Sequence, residues 1–261
     1  MTMQCMGVAL VTGAGQRIGS AIAIGLAAAG WDVAIHYRHS GAGADVTAAA
    51  VRALGRRAVQ LDCDLADEDA VRALVARAAA ALGPLGCVVN NAALFEFDDP
   101  ASFSPALLAR HMQTNVTAPL LLAQALHAAT PAHRQAVVIN LLDQKLANLN
   151  PDFLSYTLSK AALQTATTLL AQALAPRVRV VGISPGITLV SGDQAPAGFE
   201  VAHRQTPLGR SSTPQDIVDA VCYLAAARAV TGTTLVVDGG QHLLALARDV
   251  MFLTGADATA K

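Results

Sequence analysis

Short apolar runs alternate along the chain with longer stretches in which apolar residues recur every three or four positions, the pattern of strands followed by amphipathic helices. Val8–Val11 reads as the first strand. Ile18, Ile22 and Leu26 then mark one face of a helix over Arg17–Ala29 that stops at Gly30. Val33–His36 is a second strand and Gly41–Leu54 a helix ended by Gly55, followed by strand Ala58–Leu61 and helix Asp67–Leu82. Gly86–Asn90 makes a fourth strand, Pro105–Ala129 one long helix, and Ala136–Leu141 a fifth strand. Helix Phe153–Leu174 and strand Val178–Ile183 come next. Thr213 reads as an N-cap with Pro214 at the first helical position of a helix to about Ala227. Thr234–Val237 is the final strand, closed by Asp238-Gly239-Gly240.

Strands this apolar are buried on both faces, which predicts a parallel sheet covered by helices. The expected fold is α/β: a single doubly wound Rossmann-type domain over residues 1–261, with a parallel sheet of about seven strands and helices on both faces. No internal repeat or linker divides it. The one long irregular segment, about residues 186–212, is expected to form the substrate loop. Residues 243–261 carry no pattern with a mechanistic meaning.

Composition narrows the function. With 53% hydrophobic and 14% charged residues the chain suits a large core and not a disordered segment. A formal net charge of −1 gives no footprint for nucleic acid or an anionic membrane. Met1–Gly7 does not read as a signal segment, and no apolar run is long enough to span a bilayer, so a cytoplasmic protein is expected. Cys5, Cys63, Cys87 and Cys222 are scattered without metal-ligand spacing, which predicts reduced thiols and no metal.

Candidate chemistry begins at the turn Thr12-Gly13-Ala14-Gly15-Gln16-Arg17-Ile18-Gly19 after the first strand. Glycines there let backbone approach a pyrophosphate, and the helix N-terminus supplies N–H groups and a positive dipole end. Gly13, Gly15, Arg17, Ile18 and Gly19 are therefore candidate cofactor residues. A fold that chooses NAD usually ends its second strand in a carboxylate; here the strand runs into His36-Tyr37-Arg38-His39-Ser40. Arg17 and Arg38 suit one anionic group, so NADPH, with its 2′-phosphate, is the expected cofactor, with His36 and Ser40 beside it. Asp64 follows the third strand and Asn91-Ala92 the fourth, positions that fit turn chemistry as well as cofactor binding.

Tyr156 and Lys160 lie four apart on one helix face. An ammonium beside a phenol favours the phenolate, so Lys160 is expected to lower the Tyr156 pKa and make it a proton relay. The turn at 12–19 together with this Tyr-x-x-x-Lys pair resembles the short-chain dehydrogenase/reductase family, a likeness that covers about residues 7–242. The resemblance implies that Asn115 links Lys160 to a proton-relay water, that Asp64, Asn91 and Ala92 shape the cofactor trough, and that Pro185, Gly186 and Thr188 flank the nicotinamide. The family's Ser thirteen positions before the Tyr is Asp143 here. A carboxylate would repel a developing alkoxide, whereas a carboxylic acid suits protonation of a nitrogen. Arg17, the strand-two ending, Asp143 and Phe95 together resemble the pteridine reductase branch, which includes dihydromonapterin reductases and alternative dihydrofolate reductases. That likeness implies a homotetrameric, NADPH-dependent reductase of a pterin C=N bond, with Phe95, Asp143 and Tyr156 around the substrate. The competing expectations are a ketone or 3-oxoacyl reductase and a non-catalytic NADPH-binding sensor.

Overall fold

The computed structural model describes residues 6–190, 196–249 and 252. The pleat of the strands decides the layering. In β1 (Gly7–Val11), Ala9 and Val11 point to one side, Val8 and Leu10 to the other, and all four are buried. The same holds along β2 (Trp31–Tyr37), β4 (Leu85–Asn90) and β5 (Ala136–Leu141), whereas β3 (Ala58–Asp62) and β7 (Thr234–Val237) carry the exposed positions expected of edges. With β6 (Val178–Pro185) these form a seven-stranded sheet in the order β3-β2-β1-β4-β5-β6-β7, every pair parallel.

Helices cover both faces. On one, α1 (Arg17–Ala28), α2 (Gly41–Ala53) and α8 (Pro214–Ala226) place Ile22, Leu26, Val51, Ile217 and Leu224 on the sheet. On the other, α3 (Glu68–Leu82), α5 (Ala118–Ala129) and α6 (Leu154–Leu174) pack Val71, Leu74, Leu122, Leu126 and Ala171. Each such fully buried Leu or Ile contributes about 1.5–3 kcal/mol of transfer free energy. This is a single Rossmann-like α/β domain, and the strand order reverses between β1 and β4, where a crevice opens at the carboxyl ends of the strands.

Two elements differ from the expected pattern. The long helix is interrupted: α4 (Pro105–Met112) passes into a π turn at Gln113–Thr117 before α5 begins. Pro119 has no N–H to offer the carbonyl of Asn115, four residues earlier, so a regular α ladder cannot run through that point. The irregular segment 186–212 also contains a helix, α7 (Pro196–Arg204), whose nine residues, with Gly198 among them, are too few to announce it by periodicity. No helix among the described residues is long and apolar enough to cross a membrane.

Candidate active site

At the crevice, Thr12 follows β1 and fastens it to the end of β4. Its Oγ1 donates to Val89 O (3.3 Å) and accepts from Asn91 N and Ala92 N, each at 3.0 Å. Asn91 Nδ2 in turn donates to Thr12 O at 2.9 Å. These bonds hold the glycine turn in a shape that excludes side chains. Gly13 has φ +63°, a Cβ on Gly15 would stand 2.3 Å from Ser40 Oγ, and one on Gly19 would stand 2.2 Å from Gly13 O. Arg17 adopts φ +55°, a left-handed backbone that favours glycine, and its Nη2 donates to Val190 O at 2.7 Å.

His36 braces the glycine turn. It is buried, its Nδ1 accepts from Gly13 N (3.1 Å) and its Nε2 therefore donates to Cys63 O (3.0 Å). Burial pushes its pKa down, which keeps the ring neutral and the brace intact. Arg38 and Arg17 do not meet each other's partners: Arg38 pairs with Asp64 at 3.0 Å, with both side chains substantially exposed. Such a pair is weak and free to rearrange around a competing anion. Ser40 packs against Gly15 as its wall. Across the crevice, Gly186 is packed so tightly that a Cβ would meet Ser211 Oγ at 2.5 Å, and Thr188 Oγ1 donates to Gly186 O (3.0 Å) while sharing a bond with Ser212 Oγ (2.7 Å).

A cleft of about 410 Å³ joins these parts to the catalytic candidates; Arg17, Ile18, Asn91, Phe95, Asp143, Tyr156, Lys160, Pro185, Gly186 and Thr188 all face it. Asp143 sits just beyond β5, its Oδ1 capping the following turn by accepting from Lys145 N at 2.8 Å. Its Oδ2 accepts from Tyr156 Oη at 2.9 Å, so α6 brings phenol and carboxyl into direct contact. Lys160 Nζ donates to Leu141 O at 2.7 Å and lies 5.6 Å from the centre of the Tyr156 ring.

The electrostatics correct one expectation. Tyr156 is held well above the ordinary phenol range, by burial first and then by the charge of Asp143 and the hydrogen bond to it. Lys160 is not among the groups that move the Tyr156 phenol, whose hydroxyl is turned to Asp143. Its own pKa falls to about 8 because it is buried, and Asp143 recovers only part of that loss. Burial likewise raises Asp143, against the bonds from Lys145 N–H and Tyr156 and the charge of Lys160. The result is a phenol that keeps its proton, beside a carboxyl group disposed to take one up.

Asn115 sits on the π turn. Its Oδ1 accepts from Leu94 N (2.7 Å), and its Nδ2 donates to Leu94 O and to Ser159 Oγ, each at 3.0 Å. It thus ties the loop after β4 to α6, and so fixes Phe95 relative to Tyr156. The Phe95 ring stacks on Phe153 (centroids 4.3 Å apart, 17° between planes) and meets Tyr156 edge-on at 4.7 Å. One face of Phe95 is therefore covered by Phe153. Four polar residues that line the cleft carry no signal in the sequence: Gln144, Lys145, Gln241 and Asp249. Lys145 follows Asp143 by two positions, but Asp249 lies in the tail that carried no pattern.

Residues 13–242 match the family model described as enoyl-(acyl carrier protein) reductase. The chain belongs to the short-chain dehydrogenase/reductase family and is an oxidoreductase. Among solved structures it is similar to FolM alternative dihydrofolate reductase 1 from Brucella canis complexed with NADP: 40% identity, 95% of this chain and 98% of that one covered, TM-score 0.89. It is 30% identical to the dihydromonapterin reductase of Klebsiella pneumoniae, over 90% of this chain and 96% of the relative. It is also 31% identical to the L-rhamnose 1-dehydrogenase (NAD(P)(+)) of a Sphingomonas species, over 90% and 95% of the two chains.

Proposed function

We propose that this oxidoreductase uses NADPH to reduce a C=N bond of a dihydropterin. The observation that carries the reading is the 2.9 Å bond from Tyr156 Oη to Asp143. Reduction of a ketone builds negative charge on oxygen, and a carboxylate beside the acid would oppose it. Reduction at C=N needs a proton delivered to nitrogen instead. Once Asp143, whose pKa burial raises, has taken up a proton, it can pass that proton to Tyr156 Oη as the phenol gives its own to the ring nitrogen, so the charge left behind rests on the Asp143 carboxylate and not on a phenolate.

The residues present fit the dinucleotide. The cradle at Gly13, Gly15 and Gly19, where a Cβ would strike backbone or Ser40, suits close approach of a pyrophosphate to the start of α1. Arg17 and Arg38 are the cations for a 2′-phosphate, Lys160 is the candidate for the nicotinamide ribose, and Pro185, Gly186 and Thr188 would flank the nicotinamide. When bound, NADPH supplies the hydride. Phe95 offers a flat wall to a fused heterocycle, and the similarity to a FolM structure and to a dihydromonapterin reductase supports the same substrate class.

The test is NADPH oxidation, followed by absorbance, across dihydropterins, dihydrofolate, simple ketones and a 3-oxoacyl thioester. Turnover of dihydropterins well above that of the carbonyl compounds is expected. Turnover confined to carbonyl compounds would replace this reading with the ketone-reductase one, and no NADPH oxidation with any substrate would favour a silent binding protein.

A further inference from the structure

The cleft holds a second carboxylate that the proposed proton delivery does not use. Asp249 lies beyond the last strand, yet it faces the same cleft as Asp143 and Tyr156. Its position is fixed from three sides. Lys145 Nζ, on a side chain only 5% exposed, donates to Asp249 Oδ2 (3.1 Å) and to Asp152 O (2.6 Å). The Asp249 backbone N–H donates to Asp152 Oδ2 (2.7 Å), and Arg248 Nε reaches both oxygens of that buried carboxylate, at 3.0 and 2.9 Å. Phe252 then packs 5.5 Å from Phe97 and 6.1 Å from Phe153, with Arg248 over its ring at 5.0 Å. An aromatic wall therefore continues from Tyr156 through Phe95 and Phe153 to Phe252.

Apolar side chains alone would dock a terminal segment at least as firmly, since a buried ammonium and its partner must both give up water. A carboxylate kept at the cleft by a buried lysine points to something in the cleft that it meets. Lys145 also relates the two acids: its backbone N–H binds Asp143 and its ammonium binds Asp249, so one residue holds both at the same cleft.

We propose that Asp249 is a specificity-determining residue whose carboxylate accepts N–H donors from the edge of the substrate ring remote from the C=N bond being reduced. Arg248 and Phe252 flank it on the outer wall of the substrate site. The inference rests on the pterin reading above. The amino-pyrimidinone edge of a pterin presents a ring N–H and an amino group side by side, a pair of donors that matches the two oxygens of a carboxylate.

The experiment compares a 2-amino dihydropterin with its 2-oxo analogue, in wild type and Asp249→Asn. The KM of wild type should be lower for the amino compound. The Asn variant should raise that KM by about tenfold or more, the order of one lost charge-assisted hydrogen bond. The KM for the oxo analogue, the kcat for both and the Kd for NADPH should change less than about twofold, so that the preference collapses. Asp249→Glu, which keeps the charge, should restore part of the preference and serves where the Asn variant fails to fold. If both KM values rise together, Asp249 merely positions Lys145 and the proposal falls; if neither moves, it also falls. A wild type that reduces carbonyl compounds and neither pterin overturns the pterin reading and this inference together, an outcome visible before any variant is made.

Discussion

At the dinucleotide end of the cleft the working surface is backbone. Thr12, Asn91 and His36 spend their side chains on main-chain groups of the turn, and glycines keep the surface bare. At the substrate end the working surface is charged side chains: Asp143, Lys145, Lys160 and Asp249, three of them buried or nearly so and each held by a named partner. The first end depends on shape and is set by steric exclusion. The second depends on which group holds a proton, and burial moves those equilibria. Sensitivity to chemistry should therefore concentrate at the substrate end, and sensitivity to fit at the other.

Four measurements sharpen or break that contrast. The largest effect is expected for Tyr156→Phe, which removes the transferable proton and keeps the ring: kcat should fall about 10²–10⁴-fold with NADPH affinity nearly unchanged. Turnover like that of wild type would remove Tyr156 from the proton path. Next, Asp143→Ser should lower dihydropterin reduction by about 10²-fold while activity on small ketones holds steady or rises. Opposite movement of two substrates under one substitution separates chemistry from misfolding.

At the dinucleotide end, Arg17→Ala with Arg38→Ala should reduce the preference for NADPH over NADH by more than about tenfold, since each charge-assisted contact contributes roughly 1.5–3 kcal/mol. Equal losses for both cofactors, read as Kd values, would mean that neither arginine reads the 2′ position. The smallest effect concerns His36. Its folded pKa lies below the ordinary value of 6.5, so between the two the unfolded chain binds more protons than the folded one. This group should therefore cost stability as pH falls through that window, at a slope of at most about 1.4 kcal/mol per pH unit. Denaturant unfolding of His36→Asn should show a shallower fall over the same window; an unchanged slope would mean that His36 carries no linked proton.

Legibility in the sequence follows the same division. Strands, helices and the glycine turn are local patterns, so Val8–Val11, the Ile18-Ile22-Leu26 stripe and Thr213-Pro214 announce themselves within a few residues. Tyr156 and Lys160 are readable because one helical turn relates them, and Asp143 because it stands out against a family pattern. The π turn was hidden because it takes a carbonyl–proline mismatch, not a change in periodicity, to produce it. Lys145 and Asp249 are 104 positions apart and are joined only by the finished fold. The direction of the Tyr156 shift was missed for a related reason: sequence spacing placed a lysine nearby, but not the burial or the bond to Asp143 that outweigh it.

Arg17 shows what the dinucleotide end gives up for its reach. A non-glycine residue at φ +55° is strained by about 1–2 kcal/mol relative to an ordinary backbone conformation. Replacing it by glycine would relieve that strain and take away a guanidinium at the cleft mouth in the same step. If Arg17 holds the 2′-phosphate as proposed above, stability and coenzyme choice are coupled through one backbone angle. On that proposal, a screen for heat-resistant variants drawn towards glycine at position 17 would return chains with a weaker preference between the two dinucleotides.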